Sequence, residues 1–265
     1  MTTGSRILMV IPTLGERISF FRDSLESVRG QAVDVDIVVV APPAATEARE
    51  LAESYGASIL DDPGTPAGAI NSGIALTLSR QEFVAWLGDD DLLAPESLAR
   101  TTSLLDANAA AVLAFGACRY IDSEDRPLWV SRAGLWAERL LLWGPDLIPQ
   151  PGMLVRASAW QKIGGLDENL ALAFDLDLLL RLRHEGTFVA TNRVVSCFRW
   201  HSTSLTASNR TRNLHESELV KRRYLKPVYH PLARLWEPIV RLATRLAAWR
   251  LHRRVHRMAT SKPAA

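Results

Sequence analysis

Asp89, Asp90 and Asp91 follow directly on the run Phe83-Val84-Ala85-Trp86-Leu87-Gly88, with no basic residue among them. Three adjacent carboxylates repel one another, so a fold that gathers them at one point needs positive charge to hold them. A hard divalent cation carrying a diphosphate supplies it, because Mg²⁺ and Mn²⁺ take oxygen ligands and often complete their shells with substrate phosphates. A local reading competes with this one: Asp91 as the N-cap of the next helix, with Pro95 in the first turn. The tip also stands where open α/β sheets bind ligands, beyond the carboxyl end of an apolar strand.

The elements that must position this tip alternate along the chain. Ile7 to Pro12, Val35 to Ala41, Ala57 to Leu60, Phe83 to Leu87 and Ala110 to Cys118 read as continuous apolar strands. Between them Ile18 to Arg29, Ala44 to Tyr55, Ala67 to Leu78 and Pro95 to Asn108 read as helices. Apolar strands alternating with helices predict an α/β fold with a mainly parallel sheet flanked by helices. Asp122 to Pro127 is turn chemistry between two antiparallel strands. The pattern then loosens: Trp143 to Pro151 is irregular, Ala157 to Ile163 is a short helix closed by Gly164-Gly165, Leu176 to His184 is a helix, and Val194 to Trp200 is a strand.

With 265 residues, 48% of them hydrophobic, the chain can bury a substantial core. A net charge of +2 gives no overall attraction to nucleic acid. Cys118 and Cys197 each lie in an apolar run and read as free thiols of a reducing compartment. No stretch approaches the roughly 20 apolar residues of a spanning helix, and Ile7 to Pro12 is too short for a signal peptide. The expected location is the cytoplasm.

After about Asn209 the character changes. Leu235, Ile239, Leu242, Leu246 and Trp249 fall on one helical stripe, with Arg241 and Arg245 off it. Beyond Trp249 come Arg250, His252, Arg253, Arg254, His256 and Arg257, while Pro238 starts or kinks the helix. Such a basic amphipathic extension suits an anionic membrane surface, or packs on the domain with a solvated basic end. The expected division is a domain over 1–209 and a helical extension over 210–265.

Further motifs accompany the aspartates in a fixed order. They are Ile11-Pro12-Thr13; Asp61-Asp62-Pro63-Gly64 with Gly68-Ala69-Ile70-Asn71-Ser72-Gly73; Ile148-Pro149-Gln150-Pro151-Gly152-Met153; Gly164-Gly165-Leu166-Asp167-Glu168; Phe174-Asp175-Leu176-Asp177; and Phe198-Arg199-Trp200-His201. This set, over roughly residues 7 to 208, resembles the family 2 inverting glycosyltransferases of the GT-A (Rossmann-like) fold.

The resemblance implies a metal-dependent transfer of one sugar from a nucleotide-sugar donor to a hydroxyl of a glycan or lipid-linked acceptor, in cell-envelope polysaccharide or glycolipid synthesis. It implies Mn²⁺ or Mg²⁺ at Asp89, Asp90 and Asp91, Asp91 belonging to either alignment of the motif, and Asp175 as the base. Inverting transfer needs one carboxylate to take the acceptor proton and a stabilised leaving diphosphate. His201 either reaches the metal or diphosphate or fixes the Ser202 to Thr206 turn. Arg199 contacts diphosphate or pairs with a carboxylate. Pro12, Thr13, Asp62, Asn71 and Gly73 would line the donor pocket, Asp62 having a turn-capping alternative. Trp143, Gln150, Trp160 and Asp177 are acceptor-side candidates, Asp177 having a helix-capping alternative. The chain departs from the family pattern at Ala41-Pro42-Pro43, Ile70 and Phe174, which widens the range of donors. Two rivals are a sugar nucleotidyltransferase, for which Leu14-Gly15-Glu16-Arg17 is too sparse a phosphate loop, and a non-catalytic glycan-binding or scaffold member of the same fold.

Overall fold

The computed structural model describes residues 5–76, 80–132, 134, 136–201 and 210–260. Strands β1 (Ile7–Pro12), β2 (Val35–Ala41) and β3 (Ser58–Asp61) alternate with helices α1 (Ile18–Arg29), α2 (Thr46–Ser54) and α3 (Pro66–Ala75). Then follow β4 (Phe83–Trp86), β5 (Leu92–Leu93), α4 (Ser97–Asp106), β6 (Ala111–Ile121), β7 (Pro127–Ser131) and α5 (Trp136–Leu140). The later elements are β8 (Leu154–Arg156), α6 (Ala157–Ile163), α7 (Phe174–Leu182), β9 (Thr187–Arg199), α8 (Arg210–Tyr224), a 3₁₀ turn (Pro227–Tyr229) and α9 (His230–Thr260).

The strands form one mixed sheet in the order β3-β2-β1-β4-β8-β6-β9-β5, with β7 added to β6. The first four strands are parallel, in a register that pairs Ile7 with both Val35 and Phe83. Strand β8 enters antiparallel between β4 and β6, and β6 runs parallel to β9. Successive residues of β1 serve opposite layers, as a doubly covered sheet requires. Leu8 and Val10 pack with Ile70, Ile74, Trp86 and the leucines of α7, whereas Ile7, Met9 and Ile11 pack with Phe21, Leu25 and Leu98.

Local chemistry sets the element ends. Thr65 caps α3 by accepting the Gly68 N–H at 3.1 Å, with Pro66 at the first helical position. Gly164 ends α6 at φ 75°, a left-handed position suited to glycine. Helix α3 ends at Ala75, and Leu78, where the sequence reading carries it, lies outside the described residues. Helix α4 starts at Ser97 because Glu96 takes φ 61°, so neither Asp91 nor Pro95 belongs to its first turn. Strand β9 begins at Thr187, earlier than expected, because the partly exposed 189–194 stretch hides it from an apolar-run reading. The expected antiparallel pair around Asp122 to Pro127 is β6 with β7. Both cysteines are free thiols; Cys118 is buried and Cys197 half-buried.

Candidate active site

The parallel register brings the ends of β1 and β4 side by side, and the Leu87 N–H donates to the Val10 carbonyl at 3.0 Å. Thr13, just past β1, therefore meets Asp89, just past β4: its hydroxyl donates to Asp89 Oδ2 at 2.6 Å. Arg17 completes the Asp89 carboxylate from the other side, Nη2 to Oδ1 at 2.8 Å, and lies 3.4 Å from Asp90 Oδ2. Both Asp89 oxygens thus accept hydrogen bonds from protein groups, which a cation at Asp89 would have to share or displace.

Asp91 is almost wholly buried, and its Oδ1 accepts the Arg199 backbone N–H at 2.9 Å. This anchor replaces the helix-capping role considered for it. Burial, and then the Asp90 charge, push the Asp91 carboxyl well above the ordinary carboxylate range; burial also raises Asp89. Gly88 makes room for the tip: a Cβ there would stand 2.9 Å from Asp90 Oδ1 and 3.1 Å from Asp91 Oδ2.

His201 approaches from the end of β9, with Nε2 at 2.8 Å from Asp90 Oδ2. Two adjacent ligands of an octahedral cation with bonds near 2.1 Å stand about 3 Å apart, so this pair suits one. Among the described residues no three His, Cys, Asp or Glu side chains gather as a metal cage. The arrangement therefore fits a cation held by one or two side chains and completed by phosphates, as is usual for Mg²⁺. The Ser202 to Thr206 turn considered for His201 lies outside the described residues.

Of the two roles weighed for Arg199, the structure shows pairing with carboxylates. Its side chain is fully buried; Nε donates to the Asp90 carbonyl at 2.9 Å, the guanidinium pairs with Asp125 and Asp23, and it stacks 4.2 Å over Phe20. Arg17, which sequence reasoning passed over, is the better exposed cation here, and its buried Nε–H has no hydrogen-bond partner among the described residues. A basic residue soon after the first strand was the signal available for it.

Other donor-pocket expectations resolve locally. Pro12 ends β1 beside the tip. Asp62 accepts the Gly64 N–H at 2.9 Å, the turn-capping alternative. Asn71 donates to the Leu166 carbonyl and Glu168 and accepts the Leu166 N–H, so its amide pins the 165–168 loop instead of facing a ligand. A Cβ on Gly73 would stand 2.6 Å from Val10 Cγ1, so this glycine is there for close packing of α3 on the sheet and not for donor contact.

Asp175 occupies the first turn of α7 and keeps partial solvent access; its Oδ1 accepts the Leu176 N–H at 2.8 Å. Loss of bulk water raises its pKa to about 6. Asp146, another residue missed from sequence, is held above the usual carboxylate range by desolvation and then by the Asp175 charge. Gln150 ties this segment to the strand that leads into the acidic tip by donating to the Trp86 carbonyl at 2.8 Å.

The acceptor-side candidates have partners of their own. Gln150 places one amide N–H on the Trp86 carbonyl. Asp177 is buried within α7, bridged by Arg181 and by the Tyr224 hydroxyl at 2.7 Å, and does not cap the helix. Trp160 is core, edge-on to Trp86 at 5.9 Å. Trp143 packs edge-on to Tyr229 and accepts the Trp236 indole N–H at its carbonyl.

Residues 9–156 match the family model described as glycosyl transferase family 2. None of the curated proteins compared with the chain matches it. Among solved structures, the mannosyltransferase PcManGT from Pyrobaculum calidifontis, in complex with GDP-Man and Mn²⁺, is similar over 99% of this chain and 77% of its own, at 16% identity and a TM-score of 0.65. Residues 1–349 of S. aureus TarS are similar over 81% of this chain at 13% identity and a TM-score of 0.59, and the same fragment in complex with UDP gives 0.58. The chain spans 65% of that TarS fragment and 39% of the longer TarS chain. At these identities the likeness is one of fold.

Proposed function

The chain belongs to glycosyl transferase family 2, and from that premise we propose that it moves a sugar, with inversion, from a nucleoside-diphosphate donor to a hydroxyl of a glycan or lipid-linked acceptor. The observations that carry the reading are an acidic tip past the end of β4, tied to the end of β1, and a partly solvent-accessible carboxylate on α7 whose pKa is raised. Asp175 takes the proton of the acceptor hydroxyl as its oxygen attacks the anomeric carbon. The bond from that carbon to the diphosphate oxygen breaks, and the nucleoside diphosphate leaves from the opposite face. A cation held by Asp90 and His201, with diphosphate oxygens completing its shell, would supply Lewis-acid stabilisation of the leaving diphosphate, and Asp91 would anchor the tip beside it. Arg17 faces the same corner and adds a fixed positive charge. The neighbours with GDP-Man and Mn²⁺ and with UDP support a nucleotide-sugar donor and a divalent cation.

A thermal-shift screen of nucleotide sugars with and without Mn²⁺ tests the donor side. A ligand present at a hundred times its Kd stabilises the native state by about 2.7 kcal/mol. A shift of several degrees is expected for the right donor, larger with Mn²⁺; no shift with any nucleoside diphosphate would remove the reading.

The division at residue 209 is part of this proposal, and so is a location on the cytoplasmic face of a membrane. Leu235, Ile239, Leu242, Leu246 and Trp249 on α9 are all about half-exposed or more, ahead of the basic end of that helix. Among the described residues no helix is long and apolar enough to cross a membrane, so contact would be with the surface. The full chain is expected to sediment with vesicles containing phosphatidylglycerol, and less at high salt. Burial of each Leu or Ile side chain stabilises by about 1.5–3 kcal/mol. Leu235→Asp with Ile239→Asp should therefore weaken vesicle binding at least tenfold, and equal binding by this double variant would contradict the surface role.

A further inference from the structure

Helix α7 carries Asp175 but has no cap of its own: Ala173 holds the N-cap position and offers no side-chain acceptor. The cap comes from α8. The Glu216 carboxylate accepts the backbone N–H groups of Ala171 at 3.0 Å, Leu172 at 2.6 Å and Ala173 at 2.7 Å. Three successive N–H groups converging on one anion form a nest, and the anion complements the positive end of the helix.

The rest of α8 grips the same region. Tyr224 bonds to Asp177, Arg223 pairs with Asp167, Lys221 donates to the Gly144 carbonyl, and Val220 is buried in the core beside α7. Each of these partners lies on α7 or on the loops to either side of the Asp175 carboxylate.

We infer that Glu216 is a positioning residue for the candidate base: by filling the nest at Ala171–Ala173 it sets where the Asp175 carboxylate stands, and it makes α8 a wall of the acceptor side. The inference rests on the transferase reading above. Charged groups facing Asp175 come from two directions, Asp146 on the preceding segment and Glu216 on α8, with Lys221 set against Asp146. The Glu216 charge adds to the rise in the Asp175 pKa, so Glu216 acts on the base by geometry and by field.

The full chain carrying Glu216→Ala or Glu216→Gln tests this. Glu216→Ala is expected to lower kcat tenfold or more with the donor KM within twofold of wild type. Glu216→Gln keeps an oxygen acceptor and removes the charge, so most of kcat should survive above pH 8 while the acid limb of the pH profile moves to lower pH. A ¹³C-carboxyl NMR titration, with Asp175 assigned by its loss in Asp175→Asn, should show the Asp175 midpoint fall in Glu216→Gln. Unchanged kcat in Glu216→Ala, or an Asp175 midpoint and acid limb that stay put in Glu216→Gln, would overturn the inference. If the wild-type chain transfers no sugar, the transferase reading fails instead, and the NMR titration still decides whether Glu216 governs that carboxyl.

Discussion

Asp175→Asn is expected to lower kcat by about 10²–10⁴-fold, the usual worth of a positioned general base, with donor affinity close to wild type and a melting temperature at pH 7 at or above it, since the raised pKa makes the ionised carboxylate a destabilising charge in the fold. The amide keeps the shape and can still accept the Leu176 N–H, so the first turn of α7 is undisturbed. What it loses is the capacity to take a proton. The wild-type profile gives an independent check. Asp175 works only when ionised, and its pKa is raised to about 6, so activity should rise with pH through 6 and level off above it. At pH 5 roughly one-tenth of the plateau kcat should remain. Wild-type turnover in Asp175→Asn, or a flat profile from pH 5 to 8, would remove Asp175 from the role.

Asp91→Asn should have the opposite effects on activity and stability. Transfer is expected to fall by about 10²–10³-fold, the scale of losing one preorganised electrostatic element at a charged transition state. Stability at pH 7 should rise. The Asp91 carboxyl is held well above its unfolded-state value by burial, so the folded chain binds that proton more tightly than the unfolded one. Ionised Asp91 therefore destabilises the fold increasingly as pH climbs above the unfolded pKa, and the contribution is most favourable at low pH. Asparagine removes the charge and retains an acceptor for the Arg199 N–H. Melting curves at pH 5 and pH 8 should converge between wild type and variant at the lower pH. Steady-state transfer with and without Mn²⁺ should show the variant losing most of any metal stimulation. A variant that melts no higher and transfers normally would show that Asp91 is only a buried anchor.

The elements that announce themselves locally were legible. Ile18–Arg29 and Ala157–Ile163 have their apolar faces and stop signals in the sequence itself, and the structure starts and ends both helices at those residues. Strand β8 was not legible, because its three residues run straight into α6 and take their strand character from β4 and β6 on either side. The site divides in the same way. The acidic tip and Asp175 stand out by residue type. Arg17, Asp146 and Glu216 do not, since their meaning lies in partners far away in sequence. Arg199 takes the carboxylate pairing that was weighed against diphosphate contact, and Asn71, expected in the donor pocket, has its amide claimed by the 165–168 loop.

The bond from Arg199 to Asp91 joins residues 108 positions apart. A ribosome adding about 5–20 residues per second needs roughly 5–20 s to make that stretch of chain. During that interval the parallel strands β1 to β4 can already associate, since their partners have emerged, but the acidic tip lacks its guanidinium brace and its backbone donor. The tip is therefore completed only once β9 has emerged, and nascent chains cut short before β9 should assemble the parallel strands without that brace and, on the proposed transferase reading, without donor binding.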